Sequence, residues 1–450
     1  MKITVVGTGH VGLVVGLCFA EIGHEVGCCD NDPRKIETLN GGRTPFYEPH
    51  LLELLNRALE SHRVRFFSQL DAHLNEADVI FLCLGTPPLP DGEADLSSVE
   101  SVTRRIATHS QGYKLIVEKS TVPVQTGDRI QRTMQIYGGS AAFDVASNPE
   151  FLSEGTAVEN FLHPQRTVIG VESPRAETLL RQIYQPILDQ SFDCPIHPHC
   201  AWKGKPTPLV VTNRNSSEVI KHASNSFLAT KISFINAIAN LCDRVGADVE
   251  QVAQGMGFDS RIGSSFLRAG AGFGGFCFPK DLQAFIHIAE KNGYDFRLLR
   301  EVERINQDQM ELFFQKIKHE VWVLKGKRIA AWGLAFKPGT DDVRFAPALA
   351  VISKLLAEGA TVAAYDPKAM EEAKAELPPS RELLYCSTAE EAAQGADALV
   401  IFTEWPEFVS VDLEGLRDSM ARPLILDGRN MFRSEQMRRR GFEYMSVGRP

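Results

Sequence analysis

The β-branched run Ile3 to Val6 leads directly into Gly7-Thr8-Gly9-His10-Val11-Gly12, and an apolar helical pattern then continues to about Ile22. A strand that turns at once into a helix packed on its own sheet leaves few architectures open. The first glycine permits the tight turn, the second lets another group approach the backbone, and the third lets the helix lie close to the strand. The start of such a helix presents unpaired N–H groups and the positive end of a dipole, which together make a seat for phosphate.

Glu25 to Cys29 reads as a second strand and ends at an acid, Asp30. An acid at that point binds ribose hydroxyls and repels a 2′-phosphate, so the turn is expected to hold NAD rather than NADP. Gly7, Gly9, Val11, Gly12 and Asp30 are the residues this reading assigns to the cofactor, with Arg34 and Lys35 close by.

Strand-like runs recur at Val79–Leu84, Leu115–Glu118 and Val168–Val171, separated by helical stretches, as a parallel sheet with crossover helices requires. The middle differs. Asn215 to Arg244 is one long helical pattern with Val219, Ile220, Ala223, Phe227 and Leu228 among its apolar positions. Asn215 is expected to cap it, with Glu218 reaching back. From Gly326 the opening pattern returns. Arg328–Trp332 is a strand, Gly333 opens a turn, Ala346–Glu358 is helical, and Thr361–Tyr365 is a strand ending at Asp366. Val400–Phe402 and Leu424–Leu426 continue the series. The expected fold is therefore α/β: two Rossmann-like parallel-sheet domains joined by a long central helix. Residues 1–212 form the cofactor domain, 213–318 the central region and 319–450 the second Rossmann-like domain. The turn Gly333 to Gly339 lacks the triple glycine, so no second dinucleotide is expected there.

A chain of 450 residues suffices for two or three such domains. Its net charge of −9 argues against general binding to nucleic acid or anionic membrane, while local basic pockets for phosphate stay open. No apolar run approaches the roughly 18 residues of a membrane span, and the opening residues do not resemble a signal peptide. Nine scattered cysteines suit free thiols in a reducing compartment, and a cytoplasmic location is expected.

Three constellations carry chemistry. In Gly272-Phe-Gly-Gly-Phe-Cys-Phe-Pro-Lys-Asp281, glycines make a loop that can lie against a ligand, Cys277 follows, and Lys280 and Asp281 come one turn later. Nearby cations and backbone donors favour a thiolate, and a thiolate beside a nicotinamide suggests oxidation through a covalent thiohemiacetal and thioester. Lys221 and Asn225 stand four apart on the central helix and so share a face. Asn148-Pro-Glu-Phe-Leu-Ser-Glu154 offers Glu150 and Glu154 for acid–base work or for ordering water.

Taken together these segments resemble the UDP-glucose/GDP-mannose dehydrogenase family over nearly the whole chain. The resemblance rests on Gly7–Gly12, Tyr47-Glu-Pro, Gly85-Thr-Pro-Pro, Glu118-Lys-Ser-Thr-Val-Pro, Asn148–Glu154, Lys221 with Asn225, Gly274–Asp281, Phe336-Lys-Pro and Asp427-Gly-Arg, in that order. It implies a four-electron, NAD-dependent oxidation of a nucleotide sugar at C6. Cys277 would be the nucleophile, Lys221 would stabilise charge on the C6 oxygen, and Asp281, Asn225, Glu154 and Thr121 would position water or stabilise intermediates. The resemblance adds Lys35, Thr86, Thr121, Glu154, Lys280 and Arg344 to the residues near NAD. It places Glu150, Phe151, Leu152, Glu154, Lys221, Asn225, Arg261, Phe266, Leu267, Gly274, Cys277, Phe336, Lys337 and Arg429 around the sugar nucleotide. Arg261 would reach across the interface of a homodimer formed through the central helix. Phe278 after the cysteine leans toward UDP-glucose as substrate, with GDP-mannose or a UDP-N-acetylhexosamine as alternatives.

The chain departs from the family pattern at His10, at Phe276 beside the nucleophile, at Arg344-Phe345-Ala346, and in an insertion over Asp193–Thr207. That insertion contains Cys194, His197, His199 and Cys200. Their spacing is cramped for the four well-placed ligands of a zinc site, and Pro195 and Pro198 stiffen it, so a surface loop without metal is expected.

Overall fold

The computed structural model describes residues 1–89, 93–139 and 141–449. The chain divides into two compact units, Met1–Ser224 and Asn225–Pro450.

The first unit is built on strands β1 (Lys2–Val6), β2 (Glu25–Cys29), β3 (Val64–Phe67), β4 (Val79–Leu82), β5 (Lys114–Glu118), β6 (Phe143–Ser147), β7 (Thr167–Gly170) and β8 (Leu209–Thr212), in the order β3-β2-β1-β4-β5-β6-β7-β8. Strand β4 is buried on both faces. Val79 and Phe81 join the apolar cluster of Leu13, Leu17 and Phe19, and Ile80 and Leu82 join that of Val6, Ile116 and Ile130. A strand covered by helices on both sides has no polar face to offer, which is why its sequence is a continuous apolar run. The neighbours from β3 to β6 pair in parallel, but β7 pairs antiparallel to β6 and parallel to β8. Only a loop and the six-residue helix Ala157–Leu162 link β6 to β7.

The second unit repeats the plan with β9 (Arg328–Trp332), β10 (Thr361–Tyr365), β11 (Leu383–Tyr385), β12 (Ala398–Ile401), β13 (Leu424–Asp427) and β14 (Glu443–Ser446), all parallel and ordered β11-β10-β9-β12-β13-β14. In each sheet the order reverses beside the first strand, between β1 and β4 and between β9 and β12. At such a reversal the loops leaving neighbouring strands diverge and open a crevice at the carboxyl ends.

The long helix spans Arg214–Val245, one residue beyond the expected bounds at each end. Its cap corrects the sequence reading. Asn213, not Asn215, accepts the Ser216 N–H at 2.7 Å. Glu218 does not reach back. Its carboxylate instead accepts the backbone N–H groups of Gln125 (2.6 Å) and Gly127 (2.8 Å), at the start of helix Thr126–Tyr137. A carboxylate there meets the positive end of a helix dipole and its unpaired donors.

Burial pushes the Glu218 carboxyl up to about 7, against the pull of the Gly127 and Gln125 donors. Between its unfolded value near 4.5 and this folded value the native chain binds more protons, so stability falls as pH rises through that window. Measured by urea unfolding, the wild type is expected to lose up to about 3 kcal/mol relative to Glu218→Gln between about pH 4.5 and about pH 7.5. A pH-independent difference between the two proteins would refute this account.

Candidate active site

The turn after β1 is as tight as its glycines suggest. Gly7 sits at φ +98°, and a Cβ there would lie 2.2 Å from the Cys83 carbonyl oxygen. A Cβ on Gly12 would lie 1.9 Å from the Gly7 carbonyl oxygen. Gly9 is the contrasting case, because nothing lies within 4 Å of its missing Cβ. Gly7 and Gly12 serve the fold, and Gly9, which caps helix His10–Glu21, leaves the space a pyrophosphate needs. Val11 is half-buried on that helix.

Asp30 is buried at the end of β2. Its carboxylate accepts the Thr8 N–H and hydroxyl, both at 2.8 Å, and the Asp32 N–H at 3.0 Å, with the Lys35 ammonium 3.9 Å away. Burial works to raise its pKa, but these donors and Lys35 together hold the group below the ordinary range. An ionised carboxylate offers about four acceptor positions. The three protein donors leave one for a ribose hydroxyl. Asp366, at the matching end of β10, is different: it accepts from Leu334, Ala335, Lys368 and Ala369 N–H groups and from the Trp405 indole. Thr86 is buried and donates to the Thr121 carbonyl at 2.8 Å, which joins the loops after β4 and β5.

The segment after β6 is a braced loop. Glu150 and Lys221 form a buried ion pair at 2.7 Å, and the second Glu150 oxygen accepts the Leu152 N–H at 2.5 Å. The Arg166 guanidinium lies over the Phe151 ring at 3.6 Å, with the Lys221 ammonium 5.7 Å from the same ring. Glu154 is half-buried further along. Two residues given no role by the sequence reading hold this loop. Buried Lys119 donates to the Asn148 carbonyl (3.2 Å) and side-chain oxygen (3.1 Å), and desolvation lowers its pKa to about 8. Buried Glu48 accepts the Gly155 N–H at 2.6 Å and the Ala157 N–H at 2.7 Å. Both lie inside recognised motifs, Glu118-Lys-Ser-Thr and Tyr47-Glu-Pro, which was the signal available. Arg166 had none.

In the second unit Cys277 is the first residue of helix Cys277–Lys291 and is exposed. The helix therefore sets Lys280 and Asp281 beneath it, as the spacing suggests. Asp281 is 1 % exposed. One oxygen faces Lys280 at 3.0 Å and the other accepts from the Asn225 amide at 2.6 Å. The loop leading in is fixed through its backbone. The Asn236 side chain accepts the Gly270 N–H, Asn306 both accepts from and donates to Phe273, and Gln309 donates to the Gly270 carbonyl. Gly274 and Gly275 are required by packing, since a Cβ on either would lie 2.3 Å from the Phe345 carbonyl oxygen or 2.7 Å from the Phe336 ring. Phe276, the unusual neighbour of the cysteine, carries the Arg344 guanidinium over its ring at 4.4 Å and the Lys280 ammonium at 5.6 Å. Arg344 is also paired with Asp342.

The remaining candidates are more dispersed. Arg429 donates to the carbonyls of Phe402 (2.7 Å), Phe336 (2.6 Å) and Gly272 (3.4 Å), so it ties the cysteine loop to the second sheet. Phe336 and Lys337 lie half-buried beside it. Leu267 is buried, whereas Phe266, at φ +64°, is 40 % exposed. Arg261 is exposed and clasps Asp259 through both carboxylate oxygens.

The first unit offers a tight glycine turn beside an acid with a spare acceptor position and a braced carboxylate–lysine pair, and the second an exposed thiol whose leading loop is held through its backbone. Models of the UDP-glucose/GDP-mannose dehydrogenase family match its NAD binding domain at residues 1–188, its central domain at 215–308 and its UDP binding domain at 330–434. UDP-glucose 6-dehydrogenase TuaD of Bacillus subtilis is 45% identical over 450 residues, covering 100% of this chain and 93% of the relative. UDP-glucose 6-dehydrogenase of Rhizobium meliloti is 44% identical, covering 100% of both. A solved UDP-glucose dehydrogenase from Pyrobaculum islandicum superposes with a TM-score of 0.89 at 36% identity, covering 100% of this chain and 98% of that one. With all three of its domains matched in order and relatives alike from end to end, the chain belongs to the UDP-glucose/GDP-mannose dehydrogenase family.

Proposed function

We propose that this protein oxidises the C6 alcohol of UDP-glucose to the carboxylate of UDP-glucuronate in two NAD-dependent steps. The observation that carries the reading is an exposed Cys277 on a helix whose first turn holds Lys280 and Asp281, in a chain 45% identical to a UDP-glucose 6-dehydrogenase along its full length. We divide the chain for this purpose into an NAD domain at 1–212, a central region at 213–318 and a nucleotide-sugar domain at 319–450.

The Gly7–Gly12 turn, Asp30 and Lys35 hold the dinucleotide, with Thr86, Thr121, Glu154, Lys280 and Arg344 around it. When bound, NAD supplies the hydride acceptor for each oxidation. Lys221, charge-compensated by Glu150, is suited as a cation to stabilise the C6 oxygen as the alcohol passes its proton to a water held by Glu154 and its hydride to the dinucleotide, because charge placed in advance needs no reorganisation. The Cys277 sulfur adds to the aldehyde carbon while the carbonyl oxygen gains a proton, giving a thiohemiacetal. Loss of hydride and of the hydroxyl proton leaves a thioester. Asp281, oriented by Asn225 and Lys280, directs water onto it. The C–S bond then breaks, releasing the carboxylate and restoring the thiol. Phe151, Leu152, Phe266, Leu267, Phe336, Lys337, Arg261 and Arg429 are assigned to the sugar nucleotide.

We assign the protein to the cytoplasm as a homodimer. No helix among the described residues is long and apolar enough to cross a membrane. The central helix exposes Phe227, Phe234 and Leu241, seven residues apart on one stripe and 65, 48 and 54 % exposed. Water disfavours such a stripe, and a second helix of the same kind would cover it.

Four outcomes test these readings. UDP-glucose is expected to yield two NADH and one UDP-glucuronate per molecule. Cys277→Ala is expected to cut kcat by more than about 10³-fold with little change in KM. One NADH with aldehyde released would end the thioester route, and turnover of GDP-mannose or UDP-N-acetylhexosamines alone would reassign the substrate. Asp30→Ala is expected to raise the KM for NAD by about 10-fold or more and to narrow the preference over NADP; an unchanged cofactor preference would remove Asp30 from that role. In light scattering, Phe234→Glu is expected to give a monomer where the wild type is a dimer, and a monomeric wild type at micromolar concentration would refute the assembly.

A further inference from the structure

The insertion between helix Pro174–Asp189 and β8 does not fold as an isolated loop. It closes over His163, the residue that ends helix Ala157–Leu162, 31 positions before Cys194. His163, Cys194, His197 and Cys200 each present one donor atom, and these four atoms lie within 4.8 Å of one another. The spacing of the insertion alone is too cramped for four ligands. Folding replaces His199 with a histidine from elsewhere in the chain.

Three of the six separations are close to those within a tetrahedral coordination shell. His163 Nε2 is 3.2 Å from Cys194 Sγ and 3.7 Å from Cys200 Sγ, and His197 Nδ1 is 3.5 Å from Cys194 Sγ. Zinc bonds of about 2.3 Å to sulfur and about 2.05 Å to nitrogen put tetrahedral neighbours about 3.3–3.8 Å apart.

The surroundings fix each ligand. The Gln190 amide nitrogen donates to the carbonyls of Leu162 (2.9 Å) and Ile187 (2.8 Å), so its oxygen must be the atom facing His163 Nδ1 at 2.6 Å. Nδ1 then carries the proton, and the Nε2 lone pair points at the two sulfurs. A second hydrogen bond of this kind is what orients and strengthens a histidine ligand. On the far side of His197 the Glu159 carboxylate lies 3.7 Å from Nε2, a charge neighbour rather than a hydrogen-bond partner. The His163 ring is further held by stacking on Trp202 at 4.8 Å and Phe192 at 5.6 Å.

We propose that His163, Cys194, His197 and Cys200 form a structural zinc site. Two neutral imidazoles and two thiolates suit a borderline-soft divalent ion, and four protein ligands close the shell, leaving no position for catalysis. Loading displaces the two thiol protons, so the cation and the thiolates cancel in charge. The site clamps the insertion to the end of helix Ala157–Leu162, whose start Glu48 already holds behind the Asn148–Glu154 loop.

The test is metal analysis of the full chain, produced without a polyhistidine tag and dialysed against metal-free buffer. The expected content is about one zinc per chain in the wild type and in His199→Ala, and less than about a tenth in Cys200→Ser. Cobalt-loaded wild type is expected to show thiolate-to-metal charge transfer and strong tetrahedral d–d absorption, both lost in Cys200→Ser. Chelation is expected to lower Tm by about 5 °C or more, restored by zinc. Failure of the wild type to retain stoichiometric zinc after loading would overturn the proposal. So would a Cys194–Cys200 disulfide in protein prepared anaerobically, or equal metal loss in His199→Ala.

Discussion

In both sheets the strand order reverses beside the first strand, and the turn leaving that strand has to pass the end of its new neighbour. There is no room for a side chain where it does so. Gly7 lies against the Cys83 backbone after β4, and Gly333, at φ +85°, lies against Thr403 after β12, where a Cβ would meet the Thr403 Cβ at 2.4 Å. Each turn is then tied to an acid at the end of the second strand, Thr8 to Asp30 and Leu334 to Asp366. The two units thus solve one steric problem in the same way and diverge in what they leave over. Asp366 receives five protein donors, more than its lone pairs readily accommodate, whereas Asp30 receives three and retains an acceptor position beside an open glycine. The two turns therefore differ in the acceptor capacity they leave: one position at Asp30 and none at Asp366.

The chemical groups share a second theme, reactive atoms mounted on backbone that has been fixed from behind. The loop Asn148–Glu154 is pinned at one end by Lys119 and at the other by Glu48, with the Glu150–Lys221 pair between. The glycine loop before Cys277 is held through its peptide groups by Asn236, Asn306, Gln309 and Arg429, so the thiol is exposed while its supports are not. Glycine-rich backbone loses much entropy on ordering, and side-chain amides that satisfy its N–H and C=O groups offset that cost while leaving its surface bare. Arg429 illustrates how a residue expected to touch substrate also has a structural duty.

Much of this was legible in the sequence because it is local. The opening strand–turn–helix, Asp30, four of the six second-sheet strands and the placing of Cys277, Lys280 and Asp281 on one helical turn all follow from spacing along a few residues, whereas the short strands β11 and β14 were not read. What escaped was long-range or depended on competition between partners. Glu218 was expected to cap its own helix, but the donors at Gln125 and Gly127 took it. The antiparallel entry of β7 is a matter of connection length, which periodicity does not report. His163 is a lone histidine some thirty residues from the cysteines it faces, and no pattern joins them until the chain has folded. Lys119 and Glu48 sat in recognised motifs, yet their roles come from burial, which a motif does not display.

The insertion leaves and rejoins the fold almost at one point. Gly204 N–H donates to the Gln190 carbonyl at 3.1 Å and Thr207 N–H to the Leu188 carbonyl at 2.8 Å, so backbone hydrogen bonds close its stem. A segment stitched at its base carries little of the sheet's register and imposes little on it, and loop-closure entropy changes only slowly with length. The closed stem thus shields the strands on either side from changes in the segment's length, while its body stays tied to the first unit at His163.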